Sequence, residues 1–156
     1  MKDEKQEKVT DEDLAKSFDD GRYEDYKKEA QEKWGADTVK RSENIVKNMS
    51  KEQLEKIKIE GEEINKALAR NMDNGIESPE VQEIIDRHFH HIIQFYDPTW
   101  PLLKIYRGLG KMYVEDERFA ANYNKHHPEL AQFMCEAMGV YCDKKEKNER
   151  IDIKNK

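Results

Sequence analysis

Three features of the sequence predict an all-α fold. Charged residues make up 40% of the chain and hydrophobic ones 36%, with both signs interspersed, a balance that suits long helices with solvated outer faces. Four prolines and seven glycines are spread over 156 residues, too few for a sheet of short strands with its turns. Apolar positions recur at three–four spacing, most clearly at Leu54, Ile57, Gly61, Ile64 and Leu68, which form one stripe of a helix. The chain is long enough for one domain with a modest core.

Met1 to Lys8 is almost purely charged and polar and is expected to be disordered. Thr10 before Asp11, Glu12 and Asp13 has the form of a helix start, a capping hydroxyl followed by first-turn acids. That helix carries Leu14 and Phe18 and should end at Gly21. A second helix, Tyr23 to Trp34, is closed by Gly35. Asp37 or Thr38 should cap a third helix reaching Met49, and Ser50 the one that carries the stripe above. Asn74-Gly75 breaks it. Ser78-Pro79 offers a cap and a first-position proline for a helix with Val81, Ile84, Ile85, His88, His91, Ile92 and Phe95 inward, stopped by Asp97-Pro98. Trp100-Pro101 opens the next, with Leu102, Ile105, Tyr106, Leu109 and Tyr113 inward. A short element follows around Phe119 and Tyr123. Pro128 admits the last helix, whose face is Leu130, Phe133, Met134, Ala137, Met138 and Tyr141, ahead of a charged tail from Asp143.

A net charge of −6 disfavours direct contact with nucleic acid, whose phosphates select Lys/Arg-rich surfaces. No apolar run is long enough to span a membrane, and no secretory signal follows the first Met. Cys135 and Cys142 lie two helical turns apart, about 10 Å, too far to bridge within a helix. Reducing cytoplasm is the expected compartment.

His88-Phe89-His90-His91 is the densest chemical cluster. His88 and His91 share a helix face and could bind metal, but zinc needs a further ligand and no H-E-x-x-H spacing is present. No C-x-x-C-H is present and the histidines cluster, so a haem stays only as an alternative resting on the inward histidines. A hydrogen-bonded core or pocket histidine is the expectation, and no metal or cofactor is assigned. His126-His127 is expected in a solvated turn. No G-x-S-x-G motif occurs and neither cysteine has an activating neighbour, so no enzyme is predicted. Gly108-Leu109-Gly110 lacks the context of a phosphate loop and is expected at a close helix contact. Aromatics and methionines concentrate between residues 80 and 141, more apolar surface than short helices need for packing one another. Pocket or partner surface is the use expected for it, with Phe95, Tyr96 and Trp100 straddling a helix break.

Gly108 to Phe119, G-L-G-K-M-Y-V-E-D-E-R-F, resembles the G-L-G-E-M-Y-V-x-D-x-R-F signature of TipAS-type antibiotic-recognition domains. Lys33-Trp34-Gly35 resembles their R-W-G, and Asp37 to Met49 with Ser50-Lys51-Glu52 their T-x-x-Y-x-x-S…Y-T-K-E-D. His88, His91 and Ile92 are similar to H-R-x-H-I, Phe95-Tyr96-Asp97 to W-F-Y-D, and Pro128 to Phe133 to P-G-L-A-x-F. The pieces follow in order from about Phe18 to Tyr141.

The resemblance implies an all-α, globin-like helical domain with a weakly structured N-terminal part. It divides the chain into a disordered terminus (1–9), a ligand-binding domain (10–142) and a charged flexible tail (143–156). It also implies a free-standing form of the effector domain of MerR-type transcription regulators, without DNA-reading machinery. The partner would be a bulky hydrophobic small molecule or macrocyclic peptide antibiotic, thiopeptide-like or of another multidrug class, bound for sequestration or sensing. The expected contacts are His88, His91, Phe95, Asp97, Trp100, Tyr106, Leu109, Tyr113, Phe119 and Met138, between the helix from Ser78, the helix from Trp100 and the last helix.

Gly108 stands where some relatives carry a thiopeptide-capturing cysteine, so covalent capture there is not expected. The stretch Asp97 to Arg107 is about three residues longer than in relatives, with Pro98 and Pro101. Phe89 and Tyr106 replace an arginine and a histidine and make the pocket less polar. Docking of a protein partner on the same aromatic face is the alternative use, and a homodimer is left open.

Overall fold

A computed structural model describes residues 7–10, 12–13 and 23–154; the expected features at residues 1–6, Leu14, Phe18 and Gly21 lie outside them. The fold is all-α. Among the described residues seven α-helices follow in order: α1 (Tyr23–Trp34), α2 (Ala36–Lys47), α3 (Lys51–Arg70), α4 (Pro79–Ile92), α5 (Leu102–Glu115), α6 (Glu117–Asn124) and α7 (Leu130–Lys154). There is no strand among them, only an isolated antiparallel bridge between Lys8 and Ser50.

The local signals act largely where the sequence puts them. The Thr10 hydroxyl accepts from the Asp13 N–H at 3.2 Å while the Asp13 carboxylate accepts from the Thr10 N–H at 2.9 Å, a reciprocal helix-start box. Ser50 Oγ accepts from Gln53 N at 3.1 Å, and Ser78 Oγ from Val81 N at 3.2 Å ahead of Pro79. Gly35 takes φ 93° and Gly75 φ 92°, where an L side chain would be strained. One start differs: α2 begins at Ala36 with Gly35 as its N-cap, so Asp37 sits inside the first turn, where its charge meets the helix dipole.

The described residues form two compact units, Met1–Ile59 with Gln94–Asp97, and Glu60–Ile93 with Pro98–Lys156; α3 supplies residues to both. In the first, Val9, Met49, Leu54 and Ile57 are buried together, with Ile45, Val46 and Phe95 packed against them. Val9 N donates to Met49 O at 3.1 Å and Lys51 N to Glu7 O at 2.8 Å. No side chain of α2 is fully buried, matching the apolar poverty of the first third of the chain.

The second unit holds the larger core. Ile64 and Leu68 of α3, Val81 and Ile85 of α4, Tyr106 and Tyr113 of α5, and Leu130, Phe133, Met134, Ala137, Met138, Tyr141 and Cys142 of α7 are buried in one cluster. Each buried Val, Leu, Ile, Phe or Met among them contributes about 1.5–3 kcal/mol by leaving water. A Cβ placed on Gly110 would lie 3.4 Å from Cys135 Cα and 3.4 Å from Met138 Sδ, so Gly110 sets how near α5 comes to α7. Gly108 has open space instead: of the two glycines expected at a close contact, one is there. The apolar face of α7 ends at Tyr141 as read from the sequence, yet the helix continues through Lys154. Arg107 of α5 holds that continuation, its guanidinium donating to Asp143 at 2.7 Å and reaching Glu146 at 3.5 Å.

Candidate functional site

Helical spacing sends His88 inward from α4 and Tyr106 inward from α5, and the two meet. His88 Nδ1 lies 2.7 Å from the Tyr106 hydroxyl, and the same hydroxyl lies 3.4 Å from Ile85 O. Both side chains are buried. Around the pair the rings of Phe89, Tyr106 and Tyr141 pack with centroids 5.1–5.9 Å apart. The His88 ring stands edge-on to Tyr113 at 6.5 Å, and Tyr113 packs on Tyr123 at 4.3 Å. These spacings suit tilted and edge-to-face aromatic contacts. The Tyr141 hydroxyl donates to Asp86 at 2.6 Å.

The site is electrostatically dry. Burial, reinforced by the neighbouring His91, lowers the His88 pKa to about 3, so the imidazole is neutral at pH 7. Burial first, with Cys142 next, pushes the Tyr106 phenol well above its ordinary range. Burial and the bond to Asp86 do the same to Tyr141. The Cys142 thiol is pushed by burial to about 11 and that of Cys135 is also raised. Both stay protonated, unlike activated nucleophiles.

His91 is nearly closed over by α3. A Cβ on Gly61 would come within 3.1 Å of its Cε1, so the bare glycine makes the space the imidazole fills. Met138 is fully buried in the core; Leu109 and Phe119 are half-buried and packed against it. Trp100 is half-buried. Two expected contacts belong to the first unit: Phe95 packs on its small core, and Asp97 accepts from Arg41 Nη2 at 2.6 Å. Among the described residues no group of three or more His, Cys, Asp or Glu is placed to hold a metal. No helix among them is long and apolar enough to cross a membrane.

A recess of about 410 Å³ opens elsewhere in the second unit, lined chiefly by Val114, Ala120, Pro128, Phe133 and the carboxylates of Glu129 and Glu136. None of the ten expected contacts lines it.

The family model described as the TipAS antibiotic-recognition domain matches residues 26–141, a span that contains the His88–Tyr106 pair and all ten expected contacts. The chain belongs to the TipAS family. It is 33% identical over 122 residues to the HTH-type transcriptional activator mta of Bacillus subtilis, covering 78% of this chain and 46% of the relative. It is 29% identical over 134 residues to the HTH-type transcriptional activator TipA of Streptomyces coelicolor, covering 83% and 52% respectively. The chain thus spans about half the length of these curated relatives. No solved structure matches it significantly.

In this TipAS domain the structure gathers His88, Tyr106, Tyr113 and Met138 into one buried core. Of the histidine pair after α6, expected in a solvated turn, His126 departs from that expectation. His127 Nδ1 accepts from Glu129 N at 3.1 Å before α7. His126 is largely buried, its Nε2 3.3 Å from Glu62. The recess escaped sequence reading altogether. Its signal was the spacing of Glu129, Gln132, Phe133 and Glu136 across the start of α7, a mixed stripe that also fits an ordinary helix edge.

Proposed function

We propose that this TipAS domain binds a bulky, partly apolar antibiotic, thiopeptide-like or of another multidrug class, in a cleft between α4, α5 and α7. One observation carries the proposal: a family whose members are described as antibiotic-recognition domains matches three-quarters of the chain, from the first described helix into the last. Further support comes from the surplus of aromatics and methionines in that region. Tyr106 and Met138 are fully buried, and His88 and Tyr113 nearly so; their role is to hold the wall from behind. Direct contact falls to the half-buried Trp100, Leu109 and Phe119, and His91 is proposed to join them.

The relatives are named as HTH-type transcriptional activators, which supports a role in sensing; sequestration would use the same binding step. We assign this chain binding rather than catalysis, a cytoplasmic setting, and no direct contact with nucleic acid, given its net charge of −6. Residues 10–142 are the proposed ligand-binding domain.

Thermal unfolding against a panel of thiopeptides and other bulky antibiotics tests the proposal. A ligand selective for the folded state stabilises it by about 2.7 kcal/mol at a hundredfold excess over its dissociation constant. The expected result is a concentration-dependent rise in midpoint, lost in Trp100→Ala and reduced in Leu109→Ala, with the fold intact by circular dichroism. A flat response across the panel would refute it.

A further inference from the structure

The recess beside α7 has the volume of a small-molecule site, about 410 Å³, and its walls are of two kinds. Met72, Val114, Ala120, Pro128, Ala131 and Phe133 supply an apolar floor, while Asn124, Glu129, Gln132 and Glu136 supply the polar part. Val114 is one of the few large hydrophobic residues that stay exposed. Asn124 is committed to structure, its Oδ1 accepting from Ala131 N at 3.0 Å. The carboxylates are not: among the described residues neither Glu129 nor Glu136 makes an ion pair, while nearby Lys125 is turned to Glu62 at 3.4 Å. Glu129, in the turn before α7, and Glu136, in the second turn of α7, both line the recess with Gln132 and Phe133.

Among the described residues no lysine or arginine lines the recess. An apolar floor between two unneutralised carboxylates selects by charge as well as by area: a neutral guest gains only burial, an anion is repelled, and a cation gains both. We infer that this recess is a second binding site, separate from the proposed antibiotic cleft, for an organic cation with a bulky apolar body. The guest's hydrophobic part would lie on Val114, Ala120 and Phe133 with its positive charge between Glu129 and Glu136.

Tetraphenylphosphonium and its near-isosteric anion tetraphenylborate are the probes. Titration calorimetry on the full chain should show the cation binding, and the anion binding at least tenfold more weakly. Glu129→Gln/Glu136→Gln should weaken the cation by about five- to tenfold, whereas Glu55→Gln/Glu83→Gln, which removes as much charge outside the recess, should leave it within twofold. Ala120→Trp, which fills the floor, should abolish binding; the exposed glutamate pair keeps the test valid if that variant does not fold. Methyl shifts at Met72, Val114 and Ala120 should locate the cation, and Trp100→Ala should bind it normally, so that failure here and failure of the antibiotic proposal remain separate results. Equal binding of the two ions, indifference to the glutamate pair, or self-association that buries Val114 and excludes the cation would each overturn the inference.

Discussion

The His88 imidazole and the Tyr106 hydroxyl, 2.7 Å apart, close a polar contact inside an otherwise apolar core. Tyr106 is fully buried and His88 nearly so, so neither can exchange its partner for water. Removing the hydroxyl in Tyr106→Phe leaves a buried ring nitrogen without that partner, a loss of about 1–3 kcal/mol. Urea denaturation should show the midpoint falling with an unchanged slope. A change below about 0.5 kcal/mol would mean that the bond contributes little.

The same burial makes stability depend on pH. His88 has its folded pKa lowered to about 3 against an ordinary 6.5, so the unfolded chain takes up a proton that the folded one refuses. Above pH 6.5 the residue is neutral in both states and its contribution is intact. Between 6.5 and 3 stability falls as the pH falls, by about 1.4 kcal/mol per unit from this group. Unfolding free energies measured at pH 7, 6, 5 and 4 should show that decline. His88→Gln, which does not titrate, should flatten it over this range; an unchanged profile would assign the decline to other groups.

Much of the helix plan was legible because its signals are local. Ser50 and Ser78 each place an oxygen on an orphan N–H of the helix they precede, and Gly35 and Gly75 occupy turns only glycine enters easily. What periodicity could not separate was core from pocket. Tyr106 and Met138 lie on inward faces, as expected, but a stripe of apolar residues looks alike whether it meets a ligand or another helix. The recess depends on where α5, α6 and α7 leave a gap, and that is fixed by contacts far apart in sequence. His126 was misplaced for a similar reason, since Glu62, its neighbour, lies in α3.

Glycines that look alike in the sequence should respond oppositely to alanine. Gly108 lies within α5 with nothing in reach of an added methyl, so Gly108→Ala should stabilise the protein by about 0.5–1 kcal/mol through reduced backbone entropy. In Gly61→Ala the same gain is opposed by a 3.1 Å approach to the His91 ring, which is nearly buried and has little room to yield. Thermal unfolding should place Gly108→Ala above the wild type and Gly61→Ala at or below it. A Gly61→Ala variant as stabilised as Gly108→Ala would show that His91 moves freely.

The end of α7 offers a prediction about local rather than global stability. From Asp143 to Glu149 no side chain is buried, and Arg107 reaches across from α5 to Asp143 and Glu146. Asp143 is largely exposed, so the pair contributes at most about 1 kcal/mol to the whole fold. Its effect on the turns after Cys142 should be larger in proportion, because the side chains from Asp143 to Glu149 lie outside the core. In Arg107→Ala, amide exchange should accelerate severalfold from residue 143 onward while the buried turns from Leu130 to Met138 keep their protection. Raised salt should reproduce part of that change in the wild type, since an exposed ion pair is screened. Exchange that rises equally along the whole helix would mean instead that Arg107 supports the α5–α7 core.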